Sequence, residues 1–447
     1  MAMNPRTSNT SLGCLLDQAK WTRTQLANAV NRVGAEVGLS LRYDQSAVSH
    51  WLAGTMPRAQ VRPLVCEALS RRLKRPVTHI EAGLPRPLGS TGHSNGDAVE
   101  QLIDVGRADM DPSRRGVLSA GLYSAALTVP LFSDLVGRTE AAAAGRATRI
   151  GPGEVATVRT MTERVADILD ELGGGHARPM AAAFLVNTVA PYLKASASET
   201  VRKDMLSAAS DLVYLSGWMA MYEREHGLGQ NYYLKALTLA GAAEDHITYC
   251  RTLRGMSLQA SNLGYGKKAL DLADSAAEAS PKAGPRLRAF LAGQQAHAAS
   301  MTGDRSMAFA KLRETETALS KADSRREAIG GYDASAYQFH VAHVLYETGD
   351  LAGSIKAMQD SLRLQPKQER QGRVHSHAVM AQRQFELGHL DAACETWHKF
   401  LDDYVLLSTA RGDEHFDTLR RRIRPYRKTR AARELQARAR EVAALKA

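Results

Sequence analysis

The side chains best suited to chemistry in this 447-residue chain lie near its start. Within Tyr43 to Arg58, read as YDQSAVSHWLAGTMPR, Gln45, Ser46, Ser49 and His50 share one face of a short helical stretch. Ala47, Val48, Trp51 and Leu52 share the other. Asp44 can cap the start of that helix, Gly54 ends it and Pro57 prevents its continuing. An apolar back with small polar side chains at the N-terminal end is what a helix needs to pack on its own domain and offer donors and acceptors to base edges in a major groove. Other candidate chemistry is thinner. Cys14, Cys66, Cys250 and Cys394 stand singly, without metal-ligand or disulfide spacing, which points to a reducing, cytoplasmic home. His375 and His377 lie two apart, on different faces of a helix, so no metal site is expected there. Gly173-Gly174-Gly175 lacks the Lys-Ser/Thr of a nucleotide loop and reads as a hinge. With no Ser-His-Asp set, carboxylate pair or dinucleotide fingerprint, neither an enzyme nor a cofactor is expected.

The elements that must hold the polar face are helices. Ala, Leu, Arg, Glu, Gln and Met dominate, and alternating valine and isoleucine runs are rare, which predicts an all-α protein. No apolar run spans a bilayer comfortably, so no membrane partner is expected. The net charge of +11 is uneven. Residues 1–90 carry twelve Lys and Arg against five acids, a net of +7, and residues 420–447 carry eleven against two, a net of +9. The body between them is left at −5. Basic ends suit a polyanion; the acidic body does not.

Leu12, Leu15, Leu16 and Ala19 make the apolar face of a first helix. Thr22 caps a second that carries Leu26, Ala27, Val30 and Val33. After the polar-faced helix, a fourth runs from about Ala59 to Arg72 with Val61, Leu64, Val65, Ala68 and Leu69 inward. WTRTQLA, then YDQSAVSHWLAGTMPR, then a final amphipathic helix resembles the phage-repressor-type (XRE) helix-turn-helix. Thr22, Leu26 and Ala27 match its second helix; Val48, Ser49, Trp51, Gly54 and Pro57 match its recognition helix and the turn after it. The resemblance implies double-stranded DNA as partner, with Arg23 and Gln45 reaching phosphate or base edges, Ser46, Ser49 and His50 beside them, and Arg42 and Arg58 clamping the backbone. One departure stands out. The stretch between the two helices is about 11 residues longer than a tight turn, so either the second helix extends through Val37 or a loop intrudes at Gly38.

Leu84 to Asp97 reads as a Pro/Gly/Ser-rich linker and Ala98 to Asp109 as a helical piece. Ser113 to Leu118 followed by an apolar run to Phe132 resembles a twin-arginine export signal, but its internal position favours a cytosolic helix capped by Asp111 and started by Pro112. Ala141 to Gly153 reads as a second loose connection. From Glu154 on, glycines recur at Gly264, Gly303, Gly349 and Gly388, spaced by 39, 46 and 39 residues. Five residues after each stands Ala269, Ala308, Ser354 or Ala393. An earlier unit fits the frame with Arg224 and Gly229. These units resemble degenerate tetratricopeptide repeats, which implies an α-solenoid. Stepping back six and three residues from each turn and forward one predicts an exposed groove. It contains Trp218, Met221, Glu225, Leu258, Ser261, Tyr265, His297, Ser300, Asp304, His343, Tyr346, Asp350, Gln382, Phe385 and His389, suited to a peptide or small-molecule ligand. Thr429 to Ala447 is read as a basic capping helix with Leu435, Val442 and Leu445 on one side.

The expected fold is therefore all-α: a helix-turn-helix domain over residues 1–83, a linker with helical segments over 84–153, a repeat solenoid over 154–426 and a basic helix over 427–447. LGGGHARPMAAAFLVNTVAPYLKAS from Leu172, with Gly217-Trp218-Met219-Ala220 and His226-Gly227-Leu228, also resembles actinobacterial proteins that join an XRE-type domain to such repeats and regulate antibiotic production and development. The resemblance implies a cytoplasmic, homodimeric transcription regulator whose repeats sense a signal. The alternatives are a protein scaffold built on the repeats, an exported protein using the internal Arg-Arg signal and, behind both, an enzyme.

Overall fold

The computed structural model describes residues 8–36, 39–73, 77–84, 98–110, 149–279, 283–322 and 332–446, with Tyr123, Val129 and Phe132. Among these the secondary structure is helical apart from an isolated bridge between Arg149 and Ser196, so the all-α expectation holds. The first unit comprises α1 (Thr10–Gln18), α2 (Arg23–Glu36), α3 (Gln45–Leu52), a 3₁₀ turn (Ala59–Val61) and α4 (Arg62–Leu73). Its local signals agree with its starts. The Asn9 side chain accepts from Leu12 N at 2.9 Å, and Asp44 Oδ1 accepts from Ala47 N at 3.0 Å. Thr22 and Gln25 cap α2 reciprocally, with Gln25 N to Thr22 Oγ1 at 3.3 Å and Thr22 N to Gln25 Oε1 at 2.8 Å. Leu12, Leu26, Val30, Val48, Val61 and Leu69 close the core between them. The fourth helix starts three residues later than the periodicity predicts. Pro63 has no N–H to give to Ala59, so that turn is 3₁₀ and the α-helix begins at Arg62.

The long α2–α3 connection is explained mainly by a long α2, which runs to Glu36; Val37 and Gly38 lie outside the described residues. The chain then returns under tight control. Asn31 brackets the Tyr43 peptide, accepting from its N–H at 2.9 Å and donating to its carbonyl at 2.8 Å. Leu41 lies over Gly34, where an added Cβ would stand 2.5 Å from Leu41 Cδ1.

Next comes α5 (Ala98–Met110). The expected buried helix from Asp111 to Phe132 lies almost wholly outside the described residues. The second loose connection ends earlier than expected. Glu154 Oε2 accepts from Gly151 N at 2.7 Å and Pro152 opens α6 (Pro152–Leu172). There follow α7 (Gly174–Phe184), a π-helical turn (Leu185–Val189), α8 (Ala190–Lys194) and a series of antiparallel hairpins. The hairpins are α9 with α10 (Glu199–Tyr222, His226–Ala242), α11 with α12 (His246–Asn262, Gly266–Glu278) and α13 with α14 (Pro285–Met301, Arg305–Leu319). Two more follow, α15 with α16 (Ala334–Glu347, Leu351–Leu364) and α17 with α18 (Arg370–Glu386, Leu390–Tyr404). This is helical solenoid packing. Gly264, Gly303, Gly349 and Gly388 end the first helix of each later hairpin at φ between 79° and 90°. The next N–H reaches back five residues in each case, as Tyr265 N does to Ala260 O at 2.9 Å. Arg224 takes the same left-handed role in the first hairpin at φ 62°. Ala269, Ala308, Ser354 and Ala393 are fully buried between paired helices.

Helix α5 packs on this array. Asp109, 5 % exposed, pairs with Arg178 at 2.7 Å and accepts from Tyr232 Oη at 2.9 Å. At the far end α19 (Ala410–Ile423), a 3₁₀ turn (Arg424–Tyr426) and α20 (Arg430–Leu445) cover the last hairpin. Ala432, Leu435, Ala439 and Val442 are buried there, but Leu445 is 75 % exposed and does not belong to that face. Lys446 takes the contact instead, its Nζ lying 3.9 Å from the centre of the Tyr404 ring.

The array closes on itself. Ser408 N donates to Leu172 O at 2.8 Å, and Gly175 N donates to Ser408 O at 2.9 Å. Ala410 N donates to Glu223 Oε2 at 3.0 Å, and Arg224 pairs with Glu414 at 3.0 Å. The triple glycine is therefore a docking point rather than a hinge. A Cβ on Gly173, at φ 92°, would stand 2.3 Å from Ser408 O, and one on Gly175 would stand 2.2 Å from Ser408 Oγ.

Candidate functional site

Two places could act on another molecule. The first is the outer face of α2 and α3. Val48 and Trp51 are buried, and Trp51 meets Tyr43 edge-on at 5.1 Å, which fixes the roll of α3 on its domain. The opposite face then points outward. Gln45, Ser46 and His50 are exposed, Ser49 is half-buried, and Arg23, Arg42 and Arg58 are exposed around them. Arg23 Nη1 donates to Ser49 Oγ at 3.2 Å, Ser49 Oγ donates to Gln45 O at 2.7 Å, and Thr24 Oγ1 donates to Gln45 Oε1 at 3.3 Å. These contacts order the side chains without burying them. The structure thus gathers Arg23, Gln45 and Ser49 into one polar cluster, with Ser46 and His50 on the same short helix.

The second place is a cavity of about 200 Å³ within the closed array, partly open to solvent. Helices α9, α11, α13, α15, α17 and α19 all contribute to its wall. Of the fifteen groove positions expected from the repeat spacing, Trp218, Leu258, His297 and His343 lie on that wall. The others lie elsewhere. Met221 and Ser261 are buried, holding Asn262 Nδ2 (3.7 Å from Met221 Sδ) and Gln294 Nε2 (3.3 Å from Ser261 Oγ). Ser300 is buried and donates to His297 O at 2.7 Å. Tyr346 lies under the Arg383 guanidinium at 4.4 Å and donates to Glu386 at 3.0 Å. Gln382 bonds its own helix at Ala378 O, and Phe385 stacks on Tyr426. Tyr265 is 5 % exposed and faces the N-terminal unit, where its hydroxyl donates to Glu67 Oε1 at 3.0 Å.

The wall residues that the spacing missed are its most polar. Arg254 is 7 % exposed, sits 4.3 Å from the Phe290 ring centre and 5.8 Å from that of Trp218, and its Nε has no partner. It lies one helical turn before Leu258 on α11, so extending the groove stripe by four residues finds it. Arg411 arrives only through ring closure, and nothing in the repeat pattern points to it. Its Nη2 donates to Asn262 Oδ1 at 3.4 Å and to His375 Nε2 at 3.2 Å, and its guanidinium lies 5.0 Å from the Tyr222 ring centre.

Guanidinium groups only donate, which fixes the imidazole tautomers. His375 Nε2 accepts from Arg411, so its Nδ1 carries the proton and donates to His415 Nε2 at 3.0 Å. His343 Nδ1 accepts from Arg383 at 3.3 Å, so its Nε2 carries a proton, and that atom is buried without a partner. Burial first and nearby arginines second hold His343 and His375 well below the usual imidazole range and bring His297 to about 4. The wall is therefore lined by neutral histidines and two cations. Its two acids are occupied. Asp333 caps α15 through Ala336 N at 3.0 Å, and Glu369 accepts from Gln365 at 3.3 Å.

The two places are physically joined. Glu67 on α4 is 1 % exposed, accepts from Arg71 Nε at 3.0 Å and receives the Tyr265 hydroxyl. Tyr123 stacks on Tyr265 at 5.7 Å. Tyr265 follows Asn262, the residue that Arg411 holds, by one turn of chain.

A family model described as the SP15 N-terminal domain matches residues 12–85, the stretch from α1 to just beyond α4. This part of the chain is similar to that domain. No curated protein matches the chain. Among the described residues no helix is long and apolar enough to cross a membrane, and no three His, Cys, Asp or Glu side chains gather as metal ligands.

Proposed function

We propose that the chain is a sequence-specific DNA-binding transcription regulator whose repeat array dimerises and senses a small-molecule or peptide signal. The observation that carries this reading is the outer face of α3. Gln45, Ser46 and His50 are exposed on a helix of eight residues whose back is locked by Val48 and Trp51, with Arg23, Arg42 and Arg58 around it. That combination of side chains suits base edges and flanking phosphates. The helix pair is of the XRE helix-turn-helix type on this reading, and the hairpins of the tetratricopeptide type. The setting is the cytoplasm and the regulated genes those of secondary metabolism or development. Two copies on DNA multiply the specificity of one small contact surface. The path from cavity to α4 through Arg411, Asn262, Tyr265 and Glu67 supports a coupling between signal and DNA grip. A ligand must favour one arrangement of that path to act on it.

Genome-wide capture of DNA fragments by the full-length protein at near-physiological salt tests the reading. Enrichment of a short, two-fold symmetric site is expected. On that site Gln45→Ala should relax base preference by about 1–3 kcal/mol, whereas Arg58→Ala should weaken all sequences alike and shallow the salt slope by about one contact. Uniform, salt-sensitive recovery would favour a second reading, an interaction scaffold with no sequence reading.

A further inference from the structure

We propose that the central cavity is the binding site for a small aromatic carboxylate, with the acid group on Arg254 and the ring against Trp218, Leu258 and Phe339. The inference rests on reading the array as a sensor and adds the chemical class of its ligand.

Size comes first. A dry cavity of about 150 Å³ accommodates benzene. At about 200 Å³ this one takes one ring and a substituent.

Charge comes second. Arg254 is buried on the wall, and among the described residues no carboxylate pairs with it. Burial of a lone cation is costly, and aromatic faces offset only part of that cost. The Phe290 and Trp218 rings beside it supply that part. Arg411 adds a second guanidinium whose hydrogen-bond acceptors, Asn262 and His375, are both neutral. His343 Nε2–H adds a neutral donor without a partner. Three donor groups among the lining residues, with Asp333 and Glu369 already engaged, suit an oxyanion. Guanidinium and carboxylate pair as parallel N–H···O bonds, and such bonds are stronger than neutral ones.

The remaining wall explains the aromatic part. Trp218, Tyr222, Leu258 and Phe339 present flat or apolar surface beside those donors. Inorganic phosphate would satisfy the cations and leave that surface wet. A neutral ring would fill the space and leave Arg254 uncompensated.

The test is calorimetric titration of the full-length protein, without DNA, with sodium benzoate, and separately with benzamide and with inorganic phosphate. Benzoate is expected to bind and raise Tm, with benzamide and phosphate weaker by about tenfold or more, the equivalent of one good charged contact. Arg254→Met should lose benzoate binding by a similar factor while keeping or raising the Tm of the free protein, because an unpaired buried charge is replaced by an apolar chain of like length. Should that variant not fold, Trp218→Leu on the same wall should weaken benzoate by removing a ring contact, with the helical content of the parent retained in circular dichroism. Absence of heat at about 10 mM benzoate, tenfold above a Kd of about 1 mM, overturns the proposal, as does equal binding of benzamide or an Arg254→Met protein that binds like the parent. Loss of the ligand with sequence-specific DNA capture intact sinks only this inference. Benzoate binding without any sequence preference on DNA sinks the regulator reading and leaves the site standing.

Discussion

Glu67 and Tyr265 show how much a single hydrogen bond can carry. The carboxylate is 1 % exposed, and the Tyr265 hydroxyl that reaches it belongs to a residue 198 positions further along the chain. Tyr265→Phe keeps the ring on Tyr123 and removes one bond to a buried charge, a loss of about 1.5–3 kcal/mol. Hydrogen exchange is expected to quicken in α4 and the α11–α12 turn and to stay unchanged in α17 and α18. Equal protection in parent and variant would mean that the N-terminal unit is held by other contacts. Burial and Glu67 also push the neighbouring Cys66 thiol up to about 12, so this cysteine stays a thiol. Tyr265 was legible in the sequence only as a polar aromatic just after a turn glycine. The spacing rule assigned it to a ligand groove because the rule knows one array and not the unit that docks on it. The rule was sounder six residues before each turn, where Trp218, Leu258, His297 and His343 reach the cavity and only Gln382 does not. Three residues before the turns, Met221, Ser261 and Ser300 fall into helix packing, because the wall follows every fourth residue: Trp218 and Tyr222, then Arg254, Leu258 and Asn262, then Phe339 and His343.

Among the elements, the turns repay comparison. Gly303 and Gly173 both sit at positive φ, 85° and 92°, but their surroundings differ. Nothing lies within 4 Å of a Cβ built on Gly303, while one on Gly173 would strike the Ser408 carbonyl. Gly303→Ala should therefore cost only the left-handed backbone, about 1–2 kcal/mol. Gly173→Ala adds a backbone clash, and the α6–α7 turn must part from residue 408. Urea titration should separate the two, and small-angle scattering should detect a larger radius for Gly173→Ala alone. A Gly173→Ala protein as compact and stable as Gly303→Ala would contradict the docking role. The helices and their caps were legible because they depend on local chemistry, such as Asp44 before α3, Thr22 with Gln25 before α2 and glycine after each leading helix. The start of α4 was misread through one overlooked proline, Pro63. Ring closure was not legible at all. It joins Leu172 and Gly175 to Ser408 across more than two hundred residues, and no periodicity records a contact of that span.

At the scale of the whole molecule, the buried histidines set the response to acid. His226, His297 and His377 are brought down to about 4 and His415 to about 3, in each case mostly by burial, from an ordinary value of 6.5. Between those values the unfolded chain binds protons that the folded chain does not, so stability rises with pH through that window. Tm is expected to be level above about pH 6.5 and to fall steadily from there towards pH 4, well before carboxylate protonation alone would lower it. A flat Tm down to pH 4.5 would mean that these rings are solvated. The closure has a different consequence, for how the molecule comes apart. An open stack of hairpins is nearly one-dimensional: each unit answers only to its neighbours, the ends fray first, and removing a terminal unit trims stability by an increment. Here the last turn of the stack is bonded to the first, so neither end is free to fray. Folding must bring distant segments together before the circuit is complete, which raises contact order and slows the search. Unfolding should accordingly be a single cooperative event rather than a peeling, and deleting α19 and α20 should loosen α6 and α7 at the opposite end of the array.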